Sequence, residues 1–234
     1  MPTSLFLIPV ALGETELSRV LPDYNKDIVV SLRHFIVEDI RSARRFLKKT
    51  DASIVPDDLT FFVLNKHTTP EEISGFLRPI EEGHSIGIIS EAGCPAIADP
   101  GADIVAIAQQ KNIPVIPLVG PSSILLALMA SGFNGQRFAF HGYLPIDPAQ
   151  RIKCLKKLEQ SVYSDDQTQL FIETPYRNDK MLADILKTCK PETKLCIAVD
   201  ITLDSESIQT KPVKEWKTQV PNLAKRPCIF GLYR

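Results

Sequence analysis

The first half of the chain alternates short apolar runs with segments of helical periodicity, and this alternation constrains the fold more than any other feature. The apolar runs are SLFLIP (4–9), IVVSL (28–32), TFFVLN (60–65), SIGIIS (85–90) and IPVIPLV (113–119). Between them, residues 39–49 place apolar side chains on one helical face, and a helix over 70–82 begins with Thr69 before Pro70. Helices between successive strands favour parallel pairing, so we predict a parallel sheet with helices on both faces.

The second half predicts a different arrangement of strands. PSSILLALMASG (121–132) is typical of a buried helix that stops at glycine, and a basic helix surrounds RIKCLKKLEQ (151–160). The strand candidates are RFAFHGYL (137–144), TQLFIE (168–173), KLCIAVDI (194–201), ESIQTK (206–211) and RPCIFGLY (226–233). Two of them are separated by only a few residues, too short for a helical crossover, which requires an antiparallel pair. We therefore predict an N-terminal α/β domain (1–118) and a C-terminal α/β domain with a mixed sheet (119–234).

Charge and composition exclude several classes of protein. The 234 residues carry a formal net charge of −1, so no overall positive field attracts nucleic acid, and such a contact would need a local basic patch. The apolar runs fall short of the roughly 18 residues of a membrane span, and the N-terminus lacks a charged n-region, so we expect a cytoplasmic protein. The five cysteines and four histidines are scattered, which predicts neither a disulfide framework nor a metal site.

The stretch SEAGCPAIADPG (Ser90–Gly101) is an irregular loop at the carboxyl end of a predicted strand. In an open parallel sheet this edge borders the ligand crevice, because the free N–H groups of helix N-termini gather there. Gly93 and Gly101 permit close approach of a ligand to the backbone, while the two prolines of the loop stiffen it. The alternative is a simple turn in which Asp99 caps the next helix, and the residues alone do not decide between the two.

Ser122 and Ser123 stand at a second irregular joint, where a helix follows the last apolar run of the first half. Their hydroxyls are suited either to cap that helix or to donate to a ligand carboxylate or ribose. The sequence contains neither GxGxxG nor the Walker A pattern, so the commonest dinucleotide and triphosphate sites have no support.

Five motifs occur in the order found in the tetrapyrrole methylase superfamily. They are VEDIRSARRFL (37–47), SEAGCPAIADPG (90–101), VGPSSILLALMASG (119–132), FHGYLP (140–145) and FIETPYR (171–177). Within that superfamily the chain most resembles the bacterial 16S ribosomal RNA ribose 2′-O-methyltransferases, over almost its whole length. The resemblance implies a two-domain methyltransferase, usually a homodimer, that binds S-adenosylmethionine in a cleft between its domains.

Carried over position by position, the resemblance also implies which residues meet the cofactor. These are Pro9, Gly93, Cys94, Ile97, Ser122, Ser123, Glu173, Pro227 and Ile229. The chain departs from the family pattern in its first loop, where TPIGNLGD is replaced by IPVALGET, and in a strand where RELTK is replaced by VDITL (199–203). The second change retains an acid at Asp200 but loses the basic residues, which weakens an RNA-facing role for that strand.

Methyl transfer to a hydroxyl depends mainly on positioning, and a nearby carboxylate that accepts the hydroxyl proton adds about 10² to 10⁴ in rate. The candidate bases are Glu38, Asp39 and Glu91, with His67 and Glu173 as further candidates, although Glu38 or Asp39 would also suit a helix N-cap. The candidate contacts to an RNA substrate are Arg41, Arg44, His67 and Arg177. Arg177 is equally suited to pair with Glu173, and the arginines of helix 39–49 to a solvated face.

Two other functions remain open at this stage. One is methyl transfer to a tetrapyrrole or another small metabolite, which a deep apolar cleft without a basic rim would favour. The other is a non-catalytic binding module that keeps the fold but has lost tight cofactor binding. The altered IPVALGET loop is the sequence feature that supports this alternative.

Overall fold

The computed structural model describes residues 2–65 and 68–234, with the side chains of all of these except residues 70 and 71. The chain divides into two compact units, Met1–Ser122 (unit 1) and Ser123–Arg234 (unit 2). Unit 1 contains five strands, β1 (Leu5–Ile8), β2 (His34–Val37), β3 (Thr60–Val63), β4 (Ile86–Ile89) and β5 (Val115–Pro117). Its α-helices are α1 (Asp23–Ser31), α2 (Ile40–Thr50), α3 (Pro70–Gly75), α4 (Arg78–Glu81) and α5 (Gly101–Gln110).

The sheet of unit 1 has the strand order β3-β2-β4-β1-β5, and all of its strand pairs are parallel. Side chains alternate along each strand between two hydrophobic clusters. Phe6, Ile8 and Phe35 pack with helices α1 and α2, while Leu5 and Ile36 pack in a second cluster with residues of α3, α4 and α5. A sheet with apolar side chains on both faces must be covered on both, which explains the continuous apolar runs of its strands.

Two predictions of elements in unit 1 are wrong. The run IVVSL was predicted as a strand but forms the end of helix α1, and the strand β2 follows it at His34. Ile28 and Val29 are buried on one side of α1. A short apolar run occurs both in buried strands and on the buried side of a helix, so the run alone did not distinguish the two. The single helix predicted over 70–82 is divided into α3 and α4, because Pro79 has no N–H to donate to the preceding turn. Its predicted start is confirmed, since Thr69 and Glu72 form a capping box.

Unit 2 contains the remaining strands and helices. Its strands are β6 (Phe138–Tyr143), β7 (Thr168–Ile172), β8 (Lys194–Val199), β9 (Ser207–Pro212) and β10 (Cys228–Tyr233). Its α-helices are α6 (Ser123–Ser131), α7 (Pro148–Ser164), α8 (Asn178–Thr188) and α9 (Val213–Trp216). The sheet order is β6-β7-β10-β8-β9, with β6 parallel to β7 and the other pairs antiparallel. The predicted mixed sheet, and the antiparallel pair joined by a short turn, are confirmed.

One face of the unit 2 sheet carries the main hydrophobic cluster of this unit. Phe171 and Phe230 stack there with ring centroids 5.7 Å apart, among apolar residues of α7 and α8. On the other face, a Cβ at Gly231 would lie 3.3 Å from the ring of Phe133, just after α6. Helices therefore cover the sheet of unit 2 as well. In the described residues, no helix combines the length and the apolar character needed to span a membrane.

Candidate functional site

The loops after β1, β4 and β5 meet at the carboxyl edge of the unit 1 sheet. The amide of Val10 donates to the carbonyl of Gly93 at 3.0 Å, and the thiol of Cys94 lies 3.5 Å from the carbonyl oxygen of Pro121. Gly120 packs so closely on Pro9 that a Cβ at position 120 would overlap the proline ring. Three predicted cofactor positions, Pro9, Gly93 and Cys94, are thus brought together at one edge.

The loop from Ser90 to Gly101 is held in shape by its own polar groups. The Ser90 hydroxyl donates to the carbonyl of Gly93 at 2.7 Å, and one oxygen of Asp99 accepts from the amides of Ala96 and Gly101, each at 2.8 Å. Asp99 therefore accepts from the first residue of α5 and closes the loop upon itself, but the predicted cap is shifted by one residue, because Pro100 and not Asp99 is the N-cap residue of α5. Ala96 and Ala98 have φ angles of 64° and 60°, a region that costs a residue with a side chain about 1 kcal/mol or more.

Between those two alanines, Ile97 is held outward. Its side chain is 53% exposed, although it is a large apolar residue. The strained backbone on both sides and the fixed Asp99 hold Ile97 at the tip of the loop, where the prediction places a contact to the cofactor. That role stays a prediction.

The three predicted catalytic carboxylates have different surroundings. Asp39 caps helix α2 by accepting from the amide of Ser42 at 2.8 Å, and Glu91 accepts from the hydroxyl of the same serine at 2.6 Å. Glu38 is half-buried directly after β2 and has no hydrogen bond or ion pair within the described part of the chain. The capping role is therefore confirmed for Asp39. Of the three carboxylates, Glu38 is the one without a hydrogen bond or an ion pair in the described residues.

The electrostatics of this edge favour a proton on Glu38. Burial raises the pKa of the Glu38 carboxyl, and the neighbouring charges of Asp99 and Glu91 raise it further. Burial also raises the pKa of Asp99, against the two backbone hydrogen bonds that this carboxylate accepts. The hydrogen bond from the Ser42 amide lowers the pKa of the exposed Asp39. A half-buried carboxyl with a raised pKa beside other acids is suited to accept and return a proton.

A cavity of about 240 Å³ within unit 1 has Glu91 in its lining, whereas Glu38, Asp39 and Asp99 do not line it. It is lined by residues 10–14, Leu17, Ser42, Ala43, Arg45, Phe46, Lys49 and residues 89–91. Ser42, Arg45 and Lys49 were not among the predicted site residues, although Arg45 and Lys49 belong to the basic side of the helix predicted over 39–49. Their spacing of three and four residues on the predicted helix was the available signal, since it places them on one face.

The predicted substrate contacts of unit 1 are not gathered at one place. Arg44 pairs with Asp57 at 3.0 Å and lies over the ring of Phe61, so its guanidinium is engaged within unit 1. Arg41 is exposed on the first turn of α2. His67 lies outside the described residues.

A second group of predicted residues lies at one edge of the unit 2 sheet. Glu173 follows β7 and is almost fully buried, and its carboxylate accepts from the Nε and Nη2 of Arg177 at 2.9 and 2.6 Å. Ile229 pairs with Ile172 across β7 and β10, with Pro227 just before it. The predicted residues Glu173, Pro227 and Ile229 are therefore neighbours, and the alternative pairing of Arg177 with Glu173 is confirmed.

Asp200 at the same edge has a partner that the sequence did not reveal. The Nε of Arg226 donates to its carboxylate at 2.8 Å, and the hydroxyl of Ser205 donates to the same oxygen. The basic residues missing from the VDITL strand are thus replaced, for Asp200, by an arginine 26 positions further along the chain. The two predicted serines lie where the units meet in sequence, with Ser122 ending unit 1 and Ser123 beginning helix α6.

No cluster of three or more metal-ligating side chains occurs among the described residues. The thiol of Cys94 is partly buried, and burial raises its pKa, so it stays protonated at neutral pH. This agrees with its interpretation as a lining residue rather than a nucleophile.

The fold is that of the tetrapyrrole methylases, which confirms the predicted fold class. The chain matches the solved structure of the methyltransferase CobJ with a TM-score of 0.65 at 15% identity, covering 99% of this chain and 94% of that chain. It matches the cobalt-precorrin-4 methyltransferase CbiF with a TM-score of 0.62 at 11% identity, covering 98% and 94%. No family model matches the chain.

Curated relatives define the family more narrowly. The chain is 30% identical over 220 residues to ribosomal RNA small subunit methyltransferase I of Vibrio cholerae, covering 92% of this chain and 71% of the relative. It is 33% identical over 173 residues to the enzyme of the same name from Pasteurella multocida, covering 73% of this chain and 60% of the relative. The chain belongs to the ribosomal RNA small subunit methyltransferase I family. The predicted superfamily, its ribosomal RNA branch and the enzyme class of methyltransferase are confirmed.

Proposed function

We propose that this chain transfers a methyl group from S-adenosylmethionine to a ribose 2′-oxygen of 16S ribosomal RNA. The relatives are named for action on small-subunit ribosomal RNA, and the ribose acceptor follows from the resemblance of the five motifs. The observation that carries the proposal is the carboxyl edge of unit 1, where Glu38 has a raised pKa and no partner beside the loop Ser90–Gly101. An acceptor of this kind also fits the cytoplasmic location expected from the sequence.

The residues present at the two edges fit the proposed cofactor. In the described residues, the carboxylates of Glu91 and Asp99 have no ion pair with a cation, and an uncompensated acidic edge favours a positively charged sulfonium. Gly93 has a φ of 73°, and a Cβ there would crowd Leu12 and the carbonyl of Pro121. Position 93 therefore requires glycine, whose missing side chain lets a ligand approach the backbone.

We assign cofactor contacts to Pro9, Gly93, Cys94, Ile97 and Ser122 in unit 1 and to Ser123, Glu173, Pro227 and Ile229 in unit 2. When bound, S-adenosylmethionine supplies an electrophilic methyl group for an in-line displacement. The chain itself has to orient the acceptor hydroxyl and remove its proton.

We assign to Glu38 the role of the base that accepts this proton from the acceptor hydroxyl. Asp39 is occupied as the cap of α2 and Glu91 by the Ser42 hydroxyl, whereas Glu38 keeps both oxygens available. A general base works best when its pKa lies close to the working pH, and burial with like charges nearby moves Glu38 in that direction.

Cofactor binding is tested by calorimetric titration with S-adenosylmethionine and S-adenosylhomocysteine on the wild type, Cys94→Arg and Cys94→Ser. We expect binding by the wild type and the serine variant and loss of binding by the arginine variant, whose side chain would fill the loop. Absence of heat and of any thermal shift with both ligands would leave the binding-module alternative.

The acceptor is tested with small ribosomal subunits and free 16S RNA from a strain that lacks the cognate enzyme. Labelled methyl groups should enter the RNA and should be recovered as a 2′-O-methylated nucleoside after digestion. Methyl transfer to a tetrapyrrole, with none to RNA, would overturn the ribosomal assignment while retaining the methyltransferase.

We further propose that the chain forms a homodimer, as the resemblance implies. Unit 2 exposes several large apolar side chains that are candidates for such an interface, with exposed fractions of 77% for Met129, 57% for Tyr143 and 67% for Ile146. Light scattering after size exclusion gives the mass directly, and Met129→Glu should lower it to that of one chain if α6 takes part. A monomeric wild type would refute the homodimer.

A further inference from the structure

We propose that Tyr176 is a stacking platform for an unpaired base of the RNA substrate. This inference rests on the proposed function and assigns to the RNA a contact in unit 2 beyond Arg177. Tyr176 is 83% exposed, the largest exposed fraction among the large apolar side chains in the described chain. A single exposed tyrosine needs no explanation by itself, so the inference depends on how this one is held.

The backbone presents Tyr176 on a rigid turn. The amide of Arg177 donates to the carbonyl of Thr174 at 2.8 Å, which closes a four-residue turn with Pro175 and Tyr176 at its centre. Pro175 fixes its own φ, and its carbonyl accepts from the amide of Lys225 at 3.0 Å. The turn is therefore fixed from within and by a second loop, and the aromatic ring projects from a backbone that loses little entropy on binding.

Two basic residues neighbour this turn, Arg177 in sequence and Lys225 through its backbone. Arg177 follows Tyr176 in sequence and is one-third exposed while its guanidinium is held by the buried Glu173. Lys225 is exposed, and its backbone, with a φ of 63°, contacts Pro175. Proteins bind single-stranded RNA with exposed aromatic rings on which bases stack and with nearby positive charges that meet phosphates, and this turn supplies residues of both kinds.

The position of the turn connects it with the proposed site. Tyr176 is three residues beyond Glu173, which we assign to cofactor binding, and both follow strand β7. A base stacked here would anchor the RNA beside the unit 2 residues that we assign to the cofactor. Tyr176 is in this sense a substrate-positioning residue, and the methyl transfer step does not use its hydroxyl.

The test compares Tyr176→Ala, Tyr176→Phe and the matched control Tyr24→Ala, which removes a half-exposed tyrosine from helix α1. Binding is measured by fluorescence anisotropy with a short labelled single-stranded RNA from 16S RNA and with its duplex. We expect the alanine variant to bind the single strand about 5- to 150-fold more weakly, with the phenylalanine and control variants close to wild type. In methyl transfer, Tyr176→Ala should raise KM for RNA and leave kcat and S-adenosylmethionine affinity unchanged.

A second variant separates charge from stacking. Lys225→Gln should reduce the slope of log affinity against log salt by about 0.7, the value for one phosphate contact on single strands, whereas Lys217→Gln, also on the surface, should not. Unchanged RNA affinity of Tyr176→Ala beside an active wild type would overturn the platform, as would equal losses in the alanine and phenylalanine variants. A wild type that binds no RNA would instead refute the RNA substrate and the platform together, and binding of a protein partner through Tyr176 would then be the remaining use of the turn.

Discussion

The two sheet edges that carry the predicted site treat their acidic residues in opposite ways. At the edge of unit 2, Glu173 and Asp200 are both buried, and each pairs with an arginine. At the carboxyl edge of unit 1, Glu38 has neither a hydrogen bond nor an ion pair in the described chain, and Asp99 accepts only from backbone amides. A buried acid that is paired contributes to the structure, whereas an acid left without a cation is available to exchange a proton with a ligand.

The largest expected effect comes from removing the unpaired acid. Glu38→Gln should reduce methyl transfer about 10² to 10⁴-fold while cofactor affinity and the thermal midpoint remain close to wild type, because the fold does not depend on this carboxylate. The measurement is single-turnover transfer of labelled methyl groups to ribosomal RNA. Asp39→Asn serves as a control, since asparagine also caps a helix, and retention of full activity by Glu38→Gln would assign the base elsewhere.

Breaking a paired acid should act on stability instead. Arg177→Ala leaves Glu173 buried without its cation, which should lower the free energy of unfolding by about 3 kcal/mol. Denaturant unfolding measures the change, and Arg41→Ala on the exposed face of α2 should change it by less than about 0.5 kcal/mol. Similar small effects of both variants would show that the pair at unit 2 is not structural.

The close contact of Gly120 with Pro9 predicts a somewhat smaller loss. A Cβ in Gly120→Ala would overlap the rigid proline ring, so we expect a loss of about 1 to 3 kcal/mol and weaker cofactor binding as Pro9 moves. The matched control is Gly135→Ala, where the added Cβ has no atom within 4 Å. Calorimetric unfolding with and without S-adenosylmethionine would separate the two effects, and equal behaviour of the two variants would contradict the contact.

The pH dependence of stability gives the smallest and finest test of the comparison. The pKa of Glu38 is raised in the folded chain above its ordinary value of 4.5, so folding favours the protonated form. That contribution is complete below pH 4.5 and is lost as pH rises through the folded pKa. Over a scan from about pH 4.5 to 8, Glu38→Gln should therefore gain stability relative to wild type as pH rises. If the stability difference between the two proteins does not change over this pH range, the pKa of Glu38 is not raised by folding.

Local patterns predicted much of this molecule. The apolar spacing of residues 39–49 correctly predicted helix α2 and its cap. The short connection between KLCIAVDI and ESIQTK correctly predicted that the two strands are antiparallel. The strand assigned to IVVSL was wrong because a short apolar run suits either a buried strand or one side of a helix, and only tertiary packing decides.

Contacts between residues distant in sequence could not be predicted in the same way. Ser42 donates to Glu91, and Arg226 pairs with Asp200, across 49 and 26 positions of the chain. No local spacing encodes such partners. The sequence therefore offered Glu38, Asp39 and Glu91 as alternative bases. The structure distinguishes them, because Asp39 and Glu91 accept hydrogen bonds from Ser42 and Glu38 has none in the described residues.

The strand order of unit 1 has a consequence for the synthesis of the chain. Strand β1 lies between β4 and β5, with Leu5 opposite Ile86 on one side and Val115 on the other. The first strand to be synthesised therefore cannot pair until residues about 80 and 110 positions later have been added. At ribosomal rates of about 5 to 20 residues per second, the second side of β1 stays unpaired for roughly 5 to 20 s. During that interval the apolar segment LFLI is exposed, and a chaperone that shields the nascent N-terminus should raise the yield of active protein.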